Sequence, residues 1–185
     1  MTLGEAKNKV YMLLDEHSTF GEISHDADIE RKMTAFLDTA QKLLAQIKKI
    51  VRTDCIRPTL GQTAYGMPSD FAALHRIFVN GRDVTRTMRW RGGKLIIPEG
   101  SASEVLVEYF AHPETIPEDA PDSYVFEIAP DACECLPYYA AAQQLLPDPV
   151  VDSSAMLEMF DRAAARLDTS LPGEGLGVRQ SLWRG

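Results

Sequence analysis

Apolar residues recur every three or four positions at the start of the chain and predict two helices. Thr2 and Glu5 form a capping-box pattern, so we expect a first helix over residues 2–16, followed by a polar loop over 17–26. A second apolar stripe over residues 29–51 predicts a helix of about 24 residues, because its spacing fits one face of a helix throughout.

The apolar positions then change from the period of helices to the period of strands. Turn signals at Asn80-Gly81 and Gly92-Gly93 separate short runs in which apolar and polar residues alternate. We therefore expect a small antiparallel sheet, with strands at Leu74–Val79, Thr85–Arg91, Lys94–Pro98 and Glu104–Phe110.

A two-residue turn at Gly92-Gly93 decides which side chains share a face of this sheet. It pairs Trp90 with Leu95 on the face that we expect to be packed. Arg89 and Arg91 then fall on the opposite face.

Two more helices are predicted in the last third of the chain. Pro130 suits the first position of a helix that runs to Leu146, and Pro137 inside it predicts a kink or a later start. The final helix is expected to begin at Asp152 or Ser153.

Together these elements predict a mainly α fold with a β insertion (α+β): a helical bundle of about four helices plus a small antiparallel β-hairpin sheet. We expect N-terminal helices of the bundle at 1–55, a β-rich insertion at 56–122 and C-terminal helices of the same bundle at 123–168. A flexible C-terminal docking tail is expected at 169–185, where periodicity is lost.

Charge is distributed unevenly along the chain. The net charge of −8 argues against a general nucleic-acid binder. Residues 1–95 sum to +4 and residues 96–185 to −12. Such asymmetry is either a property of a solvated surface or a device of a head-to-tail oligomer, in which one face of a subunit meets a different face of its neighbour.

Composition also bears on compartment and on cofactors. We see no apolar stretch typical of a signal peptide or a membrane span, so we expect a protein made in a cytoplasm and not bound to membranes. The three cysteines, Cys55, Cys133 and Cys135, share no metal-ligand spacing with each other or with the four histidines. We expect reduced, mostly buried thiols, no metal and no cofactor.

Catalytic motifs are not evident in the sequence. The glycine-rich run at 173–177 follows a helix, whereas a dinucleotide-binding loop follows a strand and opens a helix. No nucleophile-elbow or phosphate-binding lysine motif occurs. Acidic pairs such as Glu118-Asp119 lie in polar stretches that give no reason for a shifted pKa. We therefore expect no enzymatic activity.

Two groups of residues are candidates for binding a partner. The first is basic and surrounds Trp90, a combination that suits contacts with phosphates and bases, and consists of Arg82, Arg86, Arg89, Arg91 and Lys94. Because Trp90 is predicted on the packed face, we favour solvated arginines or arginines that meet the acidic half of a neighbouring subunit.

The second group lies in the C-terminal tail and consists of Leu176, Val178, Arg179, Leu182 and Trp183. A large aromatic residue near the end of a glycine-rich segment suits an anchor that folds into a groove on a partner. The alternative is a frayed end that packs on its own domain, and the sequence leaves both open.

Several phrases occur in a characteristic order over roughly residues 28–167. They are Gly66–Phe71 leading into a strand, the turn Val79–Arg82, Leu95–Glu99, Val107–Tyr109 followed by Pro113–Pro117, and the helix start Leu136–Ala142. In this order they resemble the head–tail connector, or neck adaptor, proteins of tailed bacteriophages.

The resemblance implies a homo-oligomeric ring, usually of twelve subunits, that docks on the portal protein and joins it to the next neck or tail protein. It implies a virion location, assembly in the host cytoplasm, a tail that docks on the portal, and DNA that passes through the lumen without specific binding. One alternative is a small DNA-binding or packaging accessory protein that uses the basic hairpin at 82–94. Another is a cell-wall hydrolase, for which the sequence offers no acid pair that would form a pocket.

Overall fold

The computed structural model describes residues 1–17, 27–100, 104–146 and 153–169. The helices in these ranges are α1 (Leu3–His17), α2 (Ala27–Ile47), α3 (Pro130–Cys133), α4 (Leu136–Leu145) and α5 (Ser154–Ala164). The strands are β1 (Ile50–Ile56), β2 (Ala64–Tyr65), β3 (Phe71–Val79), β4 (Arg82–Asp83), β5 (Arg89–Arg91), β6 (Lys94–Ile96) and β7 (Val105–Ala111).

The strands form two antiparallel sheets, and this corrects the predicted fold class. One sheet has four strands in the order β1-β7-β3-β4, and the other has three in the order β2-β6-β5. The expectation of a helical bundle with a small β-hairpin sheet is therefore wrong, and the fold is mixed α+β. Strands β2 and β4 have two residues each, too few to show an alternating pattern in the sequence.

Strand β1 also corrects the predicted length of the second helix. The helix α2 ends at Ile47, and the chain pairs with β7 from Ile50, which lies opposite Ala111. The apolar residues at 50 and 51 continue the spacing of the helical stripe, but both are β-branched and favour an extended backbone.

The start of α1 confirms the predicted capping box. The Thr2 backbone N–H donates to the Glu5 carboxylate at 2.8 Å, and the Glu5 N–H donates to the Thr2 hydroxyl oxygen at 3.2 Å. These two bonds satisfy donors that the first turn of a helix otherwise leaves unpaired.

The helices enclose one hydrophobic core around α4. This helix packs against α1, α2 and α5. Ala140, Ala141 and Ala142 of α4 are fully buried, and such small side chains let neighbouring helices approach closely. Pro137 lies in the first turn of α4, separated from α3 by a short break, so the predicted kink or later start is confirmed.

A second core lies between the two sheets. Ile77 and Val107 of the four-stranded sheet pack with Leu95 and Tyr65 of the three-stranded sheet. Along β7 buried and more exposed residues alternate, as the sequence predicts for a strand with one packed face. None of the helices in the described ranges is long and apolar enough to cross a membrane.

Candidate functional site

The β5–β6 hairpin carries three of the five predicted basic site residues. Its strands are joined by Gly92 and Gly93, whose φ angles of 58° and 72° are those that a type I′ turn requires. The turn sets the predicted register, with Trp90 opposite Leu95 and Arg91 opposite Lys94.

The inner face of the hairpin holds it against the other sheet. Leu95 is fully buried in the core between the sheets. The Trp90 ring lies 6.0 Å from the ring of Phe71, which in turn lies 5.7 Å from the ring of Tyr109. Because β5 is an edge strand, Trp90 stays 38% exposed, so the predicted packing of this residue is only partial.

The outer face of the hairpin presents Arg89, Arg91 and Lys94, which we call the basic hairpin face. All three side chains are exposed. Within the described residues none of the three forms a salt bridge or a hydrogen bond through its side chain. Arg91 and Lys94 are directly opposite each other, an arrangement of like charges that destabilises a strand pair.

The other two predicted basic residues lie on and just after the edge strand of the four-stranded sheet. Arg82 lies on β4 opposite Val79, and Arg86 lies in the turn that follows β4. Arg86 lines a groove of about 440 Å³ together with His75, Arg76, Asp83, Val84, Thr85 and Thr87. The sequence grouped all five basic residues, whereas the structure places three on the β5–β6 hairpin, Arg82 on the four-stranded sheet and Arg86 in a turn.

Asp83 gives this groove a mixed charge. The hydroxyl and the backbone N–H of Thr85 both donate to its carboxylate, and these bonds hold the pKa of Asp83 below its usual value. The nearby Arg76 and Arg86 lower the pKa of Asp83 further. A carboxylate held ionised in the groove reduces its attraction for an anion, so the basic hairpin face is the stronger candidate for a negative partner.

A group of carboxylates lies on the segment that leaves β7. Glu114, Glu118 and Asp119 are all exposed, and we call residues 114–119 the acidic segment. Within the described residues none of these three carboxylates forms a salt bridge. The described residues therefore carry two oppositely charged surfaces on different elements, and within the described ranges none of their six charged side chains forms a salt bridge.

Polar side chains of α2 fix the acidic segment in place. The buried Asp38 carboxylate accepts a hydrogen bond from the backbone N–H of Ile116 at 3.0 Å. It also forms an ion pair with Lys42 at 2.7 Å. Lys42 also donates to the hydroxyl of Thr115 at 2.8 Å. Ile116 itself is only 4% exposed, so the backbone of the segment is anchored while its carboxylates point to solvent.

Gln41, one turn further along α2, forms two more hydrogen bonds that hold this part of the chain. Its side-chain oxygen accepts a hydrogen bond from the backbone N–H of Glu127 at 2.9 Å. Its amide nitrogen donates a hydrogen bond to the carbonyl of Glu114 at 3.4 Å. Asp38 and Gln41 are not among the residues that the sequence pattern singles out. Their signal is present, since Thr34, Asp38 and Gln41 interrupt the apolar face of α2 at helical spacing.

A partly buried ionic network joins the four-stranded sheet to the segment that packs on α2. The Arg52 guanidinium binds the carboxylates of Asp70 and Glu127, each at 2.5 Å. The Tyr109 hydroxyl donates to Asp70 at 3.1 Å, and burial together with this carboxylate raises the pKa of Tyr109. The four side chains are all paired with one another. Such mutual pairing is typical of a network that stabilises the fold and not of a binding site.

The three cysteines occupy two kinds of surroundings. Cys133 and Cys135 are buried as predicted, and burial raises the pKa of both thiols. Cys55 is exposed, and its thiol donates to the Glu104 carboxylate at 2.9 Å, which raises the pKa of Cys55. Among the described residues no group of three or more Cys, His, Asp or Glu side chains is arranged to hold a metal ion.

The predicted tail site, with Leu176, Val178, Arg179, Leu182 and Trp183, lies outside the described residues. No protein-family model matches the sequence, and neither does any curated protein sequence. The functional proposal for this protein therefore depends on the charged surfaces of the described residues and on the sequence resemblance.

Proposed function

We propose that this protein is a structural head–tail connector of a tailed bacteriophage. Its subunits form a ring that docks on the portal, joins it to the next neck or tail protein and continues the DNA channel. The order of sequence phrases over roughly residues 28–167 supports this proposal. The protein acts by binding and has no catalytic role.

The observation that carries the proposal is the unpaired basic hairpin face. Arg91 and Lys94 repel each other across the hairpin, and within the described residues no carboxylate neutralises them. Such a surface is unfavourable in an isolated subunit and becomes favourable against a negatively charged partner. A surface of this kind fits a protein whose work is assembly.

The acidic segment gives the subunit a second surface of opposite sign. Two different, complementary surfaces on one chain support head-to-tail contacts, which close into a ring when the rotation between subunits permits it. Ring formation is also what the resemblance implies for the family.

The net charge suits a channel for DNA. A net charge of −8 disfavours general binding of the phosphate backbone, which suits a channel through which DNA slides without being held. In the proposed assembly the tail residues Leu182 and Trp183 latch the ring to the portal by folding into a groove of that partner.

Electron microscopy of the purified protein, alone and mixed with purified portal, tests this function. We expect rings stacked coaxially on portals, with the C-terminal tail at the contact. A protein that stays monomeric in both preparations would contradict the proposal.

A DNA-binding accessory role is the second candidate, and the exposure of Trp90 beside Arg89 and Arg91 favours it. Trp90 projects from the opposite face of β5 to the two arginines, but its ring stays 38% exposed at the sheet edge and offers a base-stacking surface on the same strand as two phosphate-binding cations. If this role is correct, duplex or single-stranded DNA binds at low salt, and the affinity falls steeply as salt rises. Reversing the charge of both arginines then abolishes DNA binding.

A further inference from the structure

We propose that the basic hairpin face of one subunit binds the acidic segment of the next subunit. This inference rests on the proposed ring and names the two surfaces that close it. The occupant of the hairpin face is thus a second copy of this chain.

The charges of the two surfaces match in number. The hairpin face presents Arg89, Arg91 and Lys94, and the acidic segment presents the carboxylates of Glu114, Glu118 and Asp119. Guanidinium groups bind carboxylates through two parallel hydrogen bonds, which gives direction to the contact as well as attraction. Docking also relieves the repulsion between Arg91 and Lys94, because carboxylates then lie beside both cations.

The backbone of each surface is anchored to its own subunit before association. The hairpin is held by its glycine turn, by buried Leu95 and by the contact between Trp90 and Phe71. The acidic segment is held by buried Ile116 and by the hydrogen bond of that residue to Asp38. A backbone that is already held in place loses little conformational entropy on association, so the ordering cost falls mainly on the charged side chains.

The anchoring also explains why the two surfaces are unpaired within one chain. The hairpin belongs to the three-stranded sheet, whereas the acidic segment is fixed to α2. Neither is free to move to the other without breaking a buried contact. Pairing therefore takes place between copies, and each copy uses a different surface toward each neighbour.

The test uses two variants of the full chain, each with two of the three charges of one surface removed. The hairpin variant carries Arg89→Gln and Arg91→Gln, and the segment variant carries Glu114→Gln and Glu118→Gln. Association is measured by native mass spectrometry and by sedimentation, alone and with purified portal, at low and high salt. Circular dichroism and thermal unfolding verify that both variants are folded.

We expect each variant alone to associate at least about tenfold more weakly than the wild-type chain. An equimolar mixture of the two variants should give complexes of two subunits and no larger species. In such a pair the intact hairpin face of the segment variant meets the intact segment of the hairpin variant. The remaining surfaces keep a single charge each, Lys94 and Asp119, which we expect to be too little to support further growth.

A matched control carries Arg82→Gln and Arg86→Gln, which removes the same charge from the other sheet. This control should associate like the wild-type chain. If the hairpin and segment variants assemble as well as the wild type, the inferred contact is wrong while the ring stands. A wild-type chain that never associates, with or without portal, overturns the ring and the contact together.

A mixture of the two variants that forms no pairs also overturns the contact, because each variant keeps one intact surface. If the hairpin variant assembles normally but no longer binds DNA, the hairpin face is a nucleic-acid surface instead. High salt should weaken wild-type association, since screening reduces attraction between exposed charges.

Discussion

Arg91 and Lys94 lie directly opposite each other at the end of the β5–β6 hairpin, next to its glycine turn. Opposite positions of antiparallel strands are where side chains interact most strongly, and like charges there oppose pairing. Both residues are exposed, and no carboxylate of the described residues reaches either one. The hairpin thus combines lower stability in the free subunit with a surface that is suited to a negative partner.

Replacing Arg91 by glutamate should stabilise the free subunit. The new carboxylate lies opposite Lys94 and forms a cross-strand ion pair, so we expect the free energy of unfolding to rise by about 0.5 kcal/mol. Association should weaken in the same variant. Chemical denaturation at low protein concentration and sedimentation at high concentration measure the two effects separately.

The control for this prediction is Arg82→Glu. Arg82 lies opposite Val79 and not opposite a cation, so the same charge change should not stabilise the subunit through a cross-strand pair. Equal effects of Arg82→Glu and Arg91→Glu on stability would argue against repulsion within the hairpin.

Gln41 should be among the most sensitive polar positions of the helical core. It is fully buried, and its two hydrogen bonds satisfy the N–H of Glu127 and the carbonyl of Glu114. Gln41→Leu leaves both backbone groups without this partner, so we expect a loss of about 2 kcal/mol in unfolding free energy. Urea denaturation measures it, and Gln46→Leu on the exposed face of α2 serves as the control.

The sequence predicted the elements whose local signals are strong. The capping box of α1, the turn at Gly92-Gly93 and the break near Pro137 are all present, because each depends on residues only a few positions apart. The β1 strand was missed for the opposite reason. Its pairing partner lies about fifty residues further along the chain, and apolar spacing near Ile50 suits a helix as well as a strand.

The candidate site was only partly visible in the sequence. Alternation placed Arg89 and Arg91 on one face correctly, but no local pattern separated them from Arg82 and Arg86. The anchoring of the acidic segment by Asp38 joins residues 78 positions apart. A single sequence carries no direct signal for such a pair, since side chains that interrupt an apolar helix face have many possible partners.

Trp183 provides the test of the proposed latch in the C-terminal tail. Trp183→Ala should leave the unfolding transition of the subunit unchanged and weaken binding to purified portal by about 2 kcal/mol, or roughly thirtyfold. Leu60→Ala is a suitable control, because Leu60 is 94% exposed in a turn outside the tail. Portal binding by the Trp183 variant at wild-type strength would exclude the latch.

Thiol reactivity should distinguish Cys55 from the two buried cysteines. In the folded protein at pH 8 a disulfide reagent should react with the exposed thiol of Cys55. It should react with Cys133 and Cys135 only after unfolding. The Glu104 carboxylate raises the pKa of Cys55, so Glu104→Gln should lower that pKa and increase the reaction rate. Mass spectrometry identifies the labelled residue, and an unchanged rate in Glu104→Gln would contradict the assigned cause.

Lys48 and Asp131 form an ion pair of 2.5 Å that joins the end of α2 to the first turn of α3. The hydrogen bond from Lys48 is the main reason why the pKa of Asp131 lies below its usual value of 3.8. A carboxyl group with a lowered pKa stabilises the fold above its unfolded pKa, and this stabilisation is lost as the pH falls through the folded value.

Lys48→Met should therefore reduce the free energy of unfolding at neutral pH by no more than about 1 kcal/mol, because the Asp131 side chain is 47% exposed. The difference from the wild type should stay constant above pH 5, shrink as the pH falls below 3.8, and vanish once the pH passes the lower pKa that Asp131 has in the folded protein. Lys49→Met removes the same charge from an exposed neighbour that has no ion pair in the described ranges. Unfolding curves of both variants are measured between pH 2.5 and 7, a range set by the Asp titration. Only the Lys48 variant should show a difference in unfolding free energy that shrinks at low pH.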